Sequence, residues 1–166
     1  NLYKTMDIKK IVVFTDGSAS GHKNKRKGGF GVFFGDNHEW NYSKSLLKNV
    51  TNQRAELFAC LEAVRIVKKK YKNKWKLLIY SDSMYTINCI TKWAISWEKN
   101  NWTKKKGDIL NLDIIKPLYR MYNKHDISFK HVNSHQKEPS DKNSKEWLMW
   151  HGNDEADKLA TSYMSK

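Results

Sequence analysis

The sequence predicts an α/β domain built on one mixed sheet. Three observations carry that expectation. First, three short runs rich in β-branched and aromatic residues follow one another, "KKIVVFTDGSASG", "GGFGVFFG" and "EWNYSKSL", each bounded by Gly or Asn. Second, "TNQRAELFACLEAVRIVKKKY" changes to a helical period. Third, "WKLLIYSDS" is an uninterrupted apolar run of strand length, whose lack of alternation suits a strand covered on both faces. The strand, helix, strand order implies a right-handed crossover, which lays Leu77 to Tyr80 parallel to an earlier strand. Ile11 to Phe14 is the best partner.

Each element has a local reason. The first strand reads as ending in an Asp-Gly turn, and the next two complete a meander. In the helix, Leu57, Cys60, Leu61, Val64 and Val67 share one face, Thr51 is placed to cap the start, and lysines occupy the last turn. A short helix over "SMYTINCIT" follows, then a Trp-rich helix from about Trp93 and the basic stretch "NWTKKKGDILNLD". A helix around "LDIIKPLYRMYNK" is expected to break near Pro117. A strand "DISFKHVN", a long polar loop containing the mobile-looking "KEPSDKNSKE", and a last helix "GNDEADKLATSYM" complete the chain. The expected organisation is an amino-terminal extension over 1–8 and a single domain over 9–166, with a basic protrusion about 93–111 and a long loop about 134–151.

A chain of 166 residues holds one domain with a sizeable core. With 31 Lys and Arg against 17 Asp and Glu, a formal +14, its natural partners are polyanions, nucleic acid first among them. No apolar run approaches the ~20 residues of a spanning helix, and the start shows no secretory pattern, so an intracellular protein without a membrane partner is expected. Cys60 and Cys89 stand apart with no metal or redox spacing and read as reduced core thiols.

The carboxylates carry the chemistry. Asp16 and Asp82 each follow an apolar strand, and if those strands are parallel neighbours both emerge at one sheet edge, where open α/β sheets place ligands. Glu56 lies early in the crossover helix, and the topology permits it beside them without forcing it. Asp154 and Asp157, three apart on the last helix, can share a face. Taken singly, each is most often a turn or cap residue. Gathered together, carboxylates raise one another's pKa unless a cation neutralises them, and an all-oxygen set selects a hard ion such as Mg²⁺ or Mn²⁺. A basic protein with such a cluster fits two-metal phosphoryl chemistry.

The motifs "TDGS", "TNQRAEL", "SDSMYTINCIT", "HVNSH" and "GNDEADKLA" stand in the order found in type 1 ribonuclease H, and the chain resembles that family from about Lys9 to Ala160. The resemblance implies a five-stranded RNase H-like fold, three antiparallel strands and then two parallel ones, flanked by helices. It implies cleavage of the RNA strand of RNA/DNA hybrids, leaving 5′-phosphate and 3′-hydroxyl ends, by a monomer using two Mg²⁺, with Mn²⁺ as a substitute. It makes Asp16, Glu56, Asp82 and Asp157 the metal-binding carboxylates, leaves Asp154 as a helix-start residue, and makes His135 the auxiliary histidine. Ser18, Asn52, Gln53 and Met84 resemble the readers of the RNA minor groove, where 2′-hydroxyls mark RNA. Thr51 and Asn111 resemble the pocket for a DNA phosphate. Trp93, Trp97, Trp102, Lys104, Lys105 and Lys106 resemble the handle for the DNA strand, against the rival reading of Trp93 and Trp97 as core on one helix face.

Two positions depart from the family pattern. Asn49 stands where the phosphate pocket of cellular enzymes is often basic, which makes Lys48 a stand-in. The segment between His135 and Asp157 is longer than the family norm and carries Trp147 and Trp150, so His151 competes with His135. An integrase-like DNA transferase of the same fold shares the carboxylate logic but lacks the "TNQ" and "SDSMYTIN" motifs.

Overall fold

A computed structural model describes residues 7–165; most of the expected extension, residues 1–6, lies outside the described residues. Five strands form one sheet in the order β3-β2-β1-β4-β5. β1 (Lys9–Ser20), β2 (Lys27–Phe33) and β3 (Tyr42–Leu46) are the antiparallel meander, and β4 (Trp75–Ser81) and β5 (Asp126–His131) add in parallel. Ile11 pairs with Leu77 and Phe14 with Tyr80, the partnership expected from the crossover rule. α1 (Asn52–Lys70) is the crossover helix; the Thr51 hydroxyl accepts from the Arg54 amide at 3.1 Å and caps it.

The apolar face predicted for α1 is the face that packs. Leu57, Cys60, Leu61, Val64 and Val67 are all buried, against Val13 and Ile79 of the sheet and Ile115 and Leu118 of α4 (Leu112–Lys124). The other side of the sheet buries Phe14, Phe33, Tyr80 and Val132 with Ala156 of α5 (Lys145–Thr161). The sheet is therefore sandwiched, which is why β4 lacks alternation. Between β4 and α4, α2 (Met84–Asn88), a π turn (Cys89–Trp93) and α3 (Ala94–Lys99) form one continuous helical arm. Cys60 and Cys89 are free and buried, and burial pushes their thiols up to about 12 and about 11, as inert core groups.

Three local expectations give way to packing. β1 does not turn at Asp16-Gly17: it runs on to Ser20, with Asp16 opposite Gly31 and Gly17 opposite Phe30. Pro117 does not break α4, which continues through it; the carbonyl deprived of its partner belongs to Asp113, an exposed residue open to water. The long loop ends at residue 144 rather than 151. Asp141 accepts from the Asn143 amide at 2.9 Å, and the Ser144 hydroxyl accepts from Trp147 at 3.1 Å, so the supposedly mobile segment builds the cap from which α5 starts. "GND" looks like a helix start, yet Gly152 is an interior close-packing residue: a Cβ there would land on the Phe14 ring.

Gly17 plays the same part on the opposite face, where an added Cβ would strike the backbone of Ala55 and Glu56. The first turns of α1 can thus lie directly on β1. Gly17→Ala is expected to lower stability by about 1–3 kcal/mol through overpacking, read by urea denaturation with an unchanged m-value.

Candidate metal centre and nucleic-acid interface

The parallel register brings Thr15 beside Ser81, so the next residues, Asp16 and Asp82, leave the sheet at the same end. Glu56 enters from the second turn of α1, held close by the contact at Gly17. The result is compact: Asp16, Glu56 and Asp82 each offer a carboxylate oxygen within 4.8 Å of the others. Asp16 is 4% exposed and Glu56 8%. The Gly17 amide donates to Asp16 Oδ1 at 2.9 Å, whereas Glu56 Oε2 is buried with no hydrogen-bond partner.

Burial, then the charge of Asp82, pushes Asp16 up to about 8. Burial and the neighbouring Asp16 hold Glu56 well above the usual carboxylate range, and burial raises Asp82 as well. Three hard oxygen donors, mutual repulsion and an orphaned buried oxygen form a set that a divalent cation would satisfy. Asp157 comes from α5. It shares a small cavity with Asp82, Ser134, His135, Asn153 and Asp154, and its charge also raises Asp16.

Asp154 is not a helix-start residue: it sits in the middle of α5, faces the same cavity and pairs with Lys158 at 3.2 Å. Of the two histidines, His135 lines the cavity beside Asp82, exposed on a backbone with φ 53°. His151 lies outside it. Its Nε2 meets Asp36 Oδ1 at 2.7 Å and its ring stacks on Trp147 at 4.5 Å, so it ties α5 to the β2–β3 connection.

The substrate candidates are spread over several elements. Asn52 Oδ1 accepts from the Ala19 amide at 2.8 Å, with Gln53 exposed beside it; the Ser18 hydroxyl meets the Tyr163 hydroxyl, and Met84 is exposed. Asn111 adopts a left-handed backbone, φ 65°, and its amide nitrogen donates to the Tyr85 hydroxyl at 2.9 Å. Trp93 is exposed and Trp97 half-buried, their rings 6.0 Å apart. Trp102, expected in the handle for the DNA strand, is half-buried. Its ring packs on Tyr119 at 5.9 Å under Lys116, anchoring the loop that carries the exposed Lys104, Lys105 and Lys106.

Sequence reasoning missed four residues. Lys23 and Arg26 join Lys48 and Thr51 around a cleft of about 530 Å³, so the basic lining absent at Asn49 comes from the β1–β2 connection. The run "KNKRK" was the available signal; its nearness to Thr51 exists only in space. Arg54 forms two hydrogen bonds to Asp113, at 2.9 and 2.7 Å, and ties α1 to α4 beside Asn111. Asn153, buried with an unpartnered Oδ1, faces the carboxylate cavity.

A mixed five-stranded sheet with acidic residues gathered from two strand ends and two helices, beneath a strongly basic surface, defines the ribonuclease H-like class of α/β domain. The family model described as RNase H matches residues 8–165, and the chain belongs to that family. It is 37% identical over 152 residues to Ribonuclease H1 of Mus musculus, covering 90% of this chain and 48% of the mouse protein. The chain thus spans about half the length of such relatives. Its fold matches the crystal structure of LC9-RNase H1, a type 1 RNase H with the type 2 active-site motif, with a TM-score of 0.74 at 21% identity, covering 95% of this chain and 73% of that one. It also matches the foamy viral protease-reverse transcriptase in complex with RNA/DNA hybrid, with a TM-score of 0.67 at 25% identity, over 92% of this chain and 19% of the viral one.

The raised carboxylates have a measurable consequence. A group whose folded pKa lies above its unfolded value holds its proton better in the folded state, so its contribution declines as pH rises between the two values. For Asp16 that window runs from about 4 to about 8. In chelator, wild type is expected to lose thermal stability relative to Asp16→Asn as pH rises through this window, and added Mg²⁺ to recover the loss near pH 8.

Proposed function

We propose that the chain is a metal-dependent endoribonuclease that hydrolyses the RNA strand of RNA/DNA hybrids, leaving 5′-phosphate and 3′-hydroxyl ends. The observation that carries this reading is the meeting of Asp16, Glu56 and Asp82 within 4.8 Å in a chain of the RNase H family. Support comes from the fold it shares with a reverse transcriptase held in complex with RNA/DNA hybrid. Residues 9–166 form the catalytic domain, working as a monomer. Among the described residues no helix is long and apolar enough to cross a membrane.

Asp16, Glu56, Asp82 and Asp157 would hold two Mg²⁺, or Mn²⁺ in their place; bound ions supply charge stabilisation to the attacking and leaving oxygens. The chain's own residues do the rest. The buried carboxylates would fix where the ions sit, and His135, on an exposed loop at the cavity mouth, carries a proton or eases product release. Ser18, Asn52, Gln53 and Met84 face the RNA strand, whose 2′-hydroxyls line a wide shallow groove. Thr51 and Asn111 receive a DNA phosphate, with Lys23, Arg26 and Lys48 adding charge; Trp93, Trp97 and Lys104 to Lys106 hold the DNA strand, with Trp102 bracing their loop.

Incubation of labelled RNA/DNA hybrid, duplex RNA, duplex DNA and single strands, each with and without Mg²⁺, should yield cleavage only of RNA in the hybrid and only with metal. Cleavage of duplex DNA would transfer the chain to the DNA-transferase class. Asp82→Asn should abolish cleavage and leave hybrid binding within a few-fold of wild type; undiminished turnover sinks the assignment. Replacing Lys104, Lys105 and Lys106 with Ala should raise KM and flatten its salt dependence while sparing kcat. A fall in kcat alone would place these lysines elsewhere in the cycle.

A further inference from the structure

At the end of the sheet away from the carboxylates, where β4 and β5 begin, Lys68, Lys72, Lys74, Lys76 and Lys124 line a cleft of about 630 Å³ with Trp75 and His125. We propose that this cleft is a second nucleic-acid site, which takes single-stranded RNA or DNA. The seven residues of β4 set it about 20 Å from Asp82, too far to be an extension of the catalytic cavity.

Charge is the first argument. Among the described residues one carboxylate, Asp126, lines the cleft, and it pairs with Lys76 at 3.6 Å, leaving four of the lysines with no acid facing them there. The lysines in the last turn of α1 complement the helix dipole, which accounts for Lys68. Lys124 does the same in the last turn of α4, but the dipole does not account for Lys72 and Lys74, which the α1–β4 connection brings to the same cleft.

Aromatic lining is the second. His125 stacks on Trp75 with ring centroids 4.8 Å apart and planes 24° from parallel, and Tyr71 lies beside them. Burial, then Lys68 and Lys124, lowers the His125 pKa, so the imidazole is a neutral flat ring at pH 7. Its Nε2 is buried without a partner. Flat rings set among cations match a strand that alternates base faces with phosphates; an acidic peptide would use the lysines and leave the rings idle. A duplex keeps its base faces stacked inside, so only an unpaired strand can use both features. The run "KKKYKNKWK" is also folded into α1 and β4, which prevents its recognition as an extended basic peptide.

The site does not rest on the nuclease reading, because it is tested in chelator. In a Lys104→Ala, Lys105→Ala, Lys106→Ala background, which removes the three lysine charges of the protrusion, short oligo(dT) and oligo(U) are titrated by fluorescence anisotropy. Adding Lys68→Glu, Lys72→Glu and Lys74→Glu should weaken both at least about tenfold and reduce the salt slope by about 2. Hybrid cleavage by the Lys68, Lys72, Lys74 variant alone should keep its kcat. Weakening of only one oligomer narrows the site to that kind of nucleic acid. In wild type, added oligo(dT) should shift the Trp75 indole and His125 imidazole signals in NMR spectra, a readout that needs no variant. Unchanged affinity in the charge-reversed protein, still signals, or equal shifts with polyglutamate would each overturn the proposal.

Discussion

The interaction on which the rest of the structure depends is a repulsive one. Asp16, Glu56 and Asp82 are drawn within 4.8 Å in a place that excludes most water, and Asp157 adds its field from the opposite side. Left alone, such a group would spread, take up protons or pull water inward. The surrounding fold must be stiff enough to prevent the first outcome, and the raised pKa values record the second.

Stiffness comes from backbone contact more than from any single side chain. At Gly17 the strand touches the first turns of α1, and at Gly152 α5 closes on Phe14, itself stacked on Tyr80 with centroids 4.9 Å apart. These contacts leave the two acid-bearing helices no slack. Behind them the core of Val13, Leu57, Ile79, Ile115 and Leu118 is wholly buried and resists displacement as densely packed interiors do. Thr15 shares this burial; its hydroxyl lies 3.4 Å from the Tyr80 carbonyl and links the two strands that deliver the aspartates.

Most of this was legible before the structure. Hydrophobic period and strand order were enough for the meander, the crossover and the pairing of Ile11 to Phe14 with Leu77 to Tyr80, because sheet burial writes itself into local pattern. Asp16 and Asp82 could be placed together by topology, but Glu56 needed the Gly17 contact, a tertiary fact with no periodic signal. Where local rules erred, tertiary packing had overridden them. Asp-Gly was absorbed into a long strand, Pro117 was tolerated where the lost acceptor faces water, and the Gly of "GND" served close approach instead of helix initiation. The meeting of Lys23 and Arg26 with Lys48 around Thr51 was hidden because two segments far apart in sequence build it.

The distribution of charge completes the physical picture. Among the described residues, ion pairs engage few of the 31 Lys and Arg side chains: Arg54, Lys76 and Lys158. Those involving Lys76 and Lys158 are exposed, a kind worth little to stability. The remaining cations repel one another, a cost that a protein of +14 carries whenever no polyanion is present. A bound nucleic acid relieves that cost and releases its own counterions, so affinity and stability are linked through the same lysines. The acidic centre obeys the complementary rule, since a cation between its carboxylates relieves the repulsion that burial sharpens. The acidic centre and the basic surface thus each carry an excess of one sign, and each would be relieved by a group of the other.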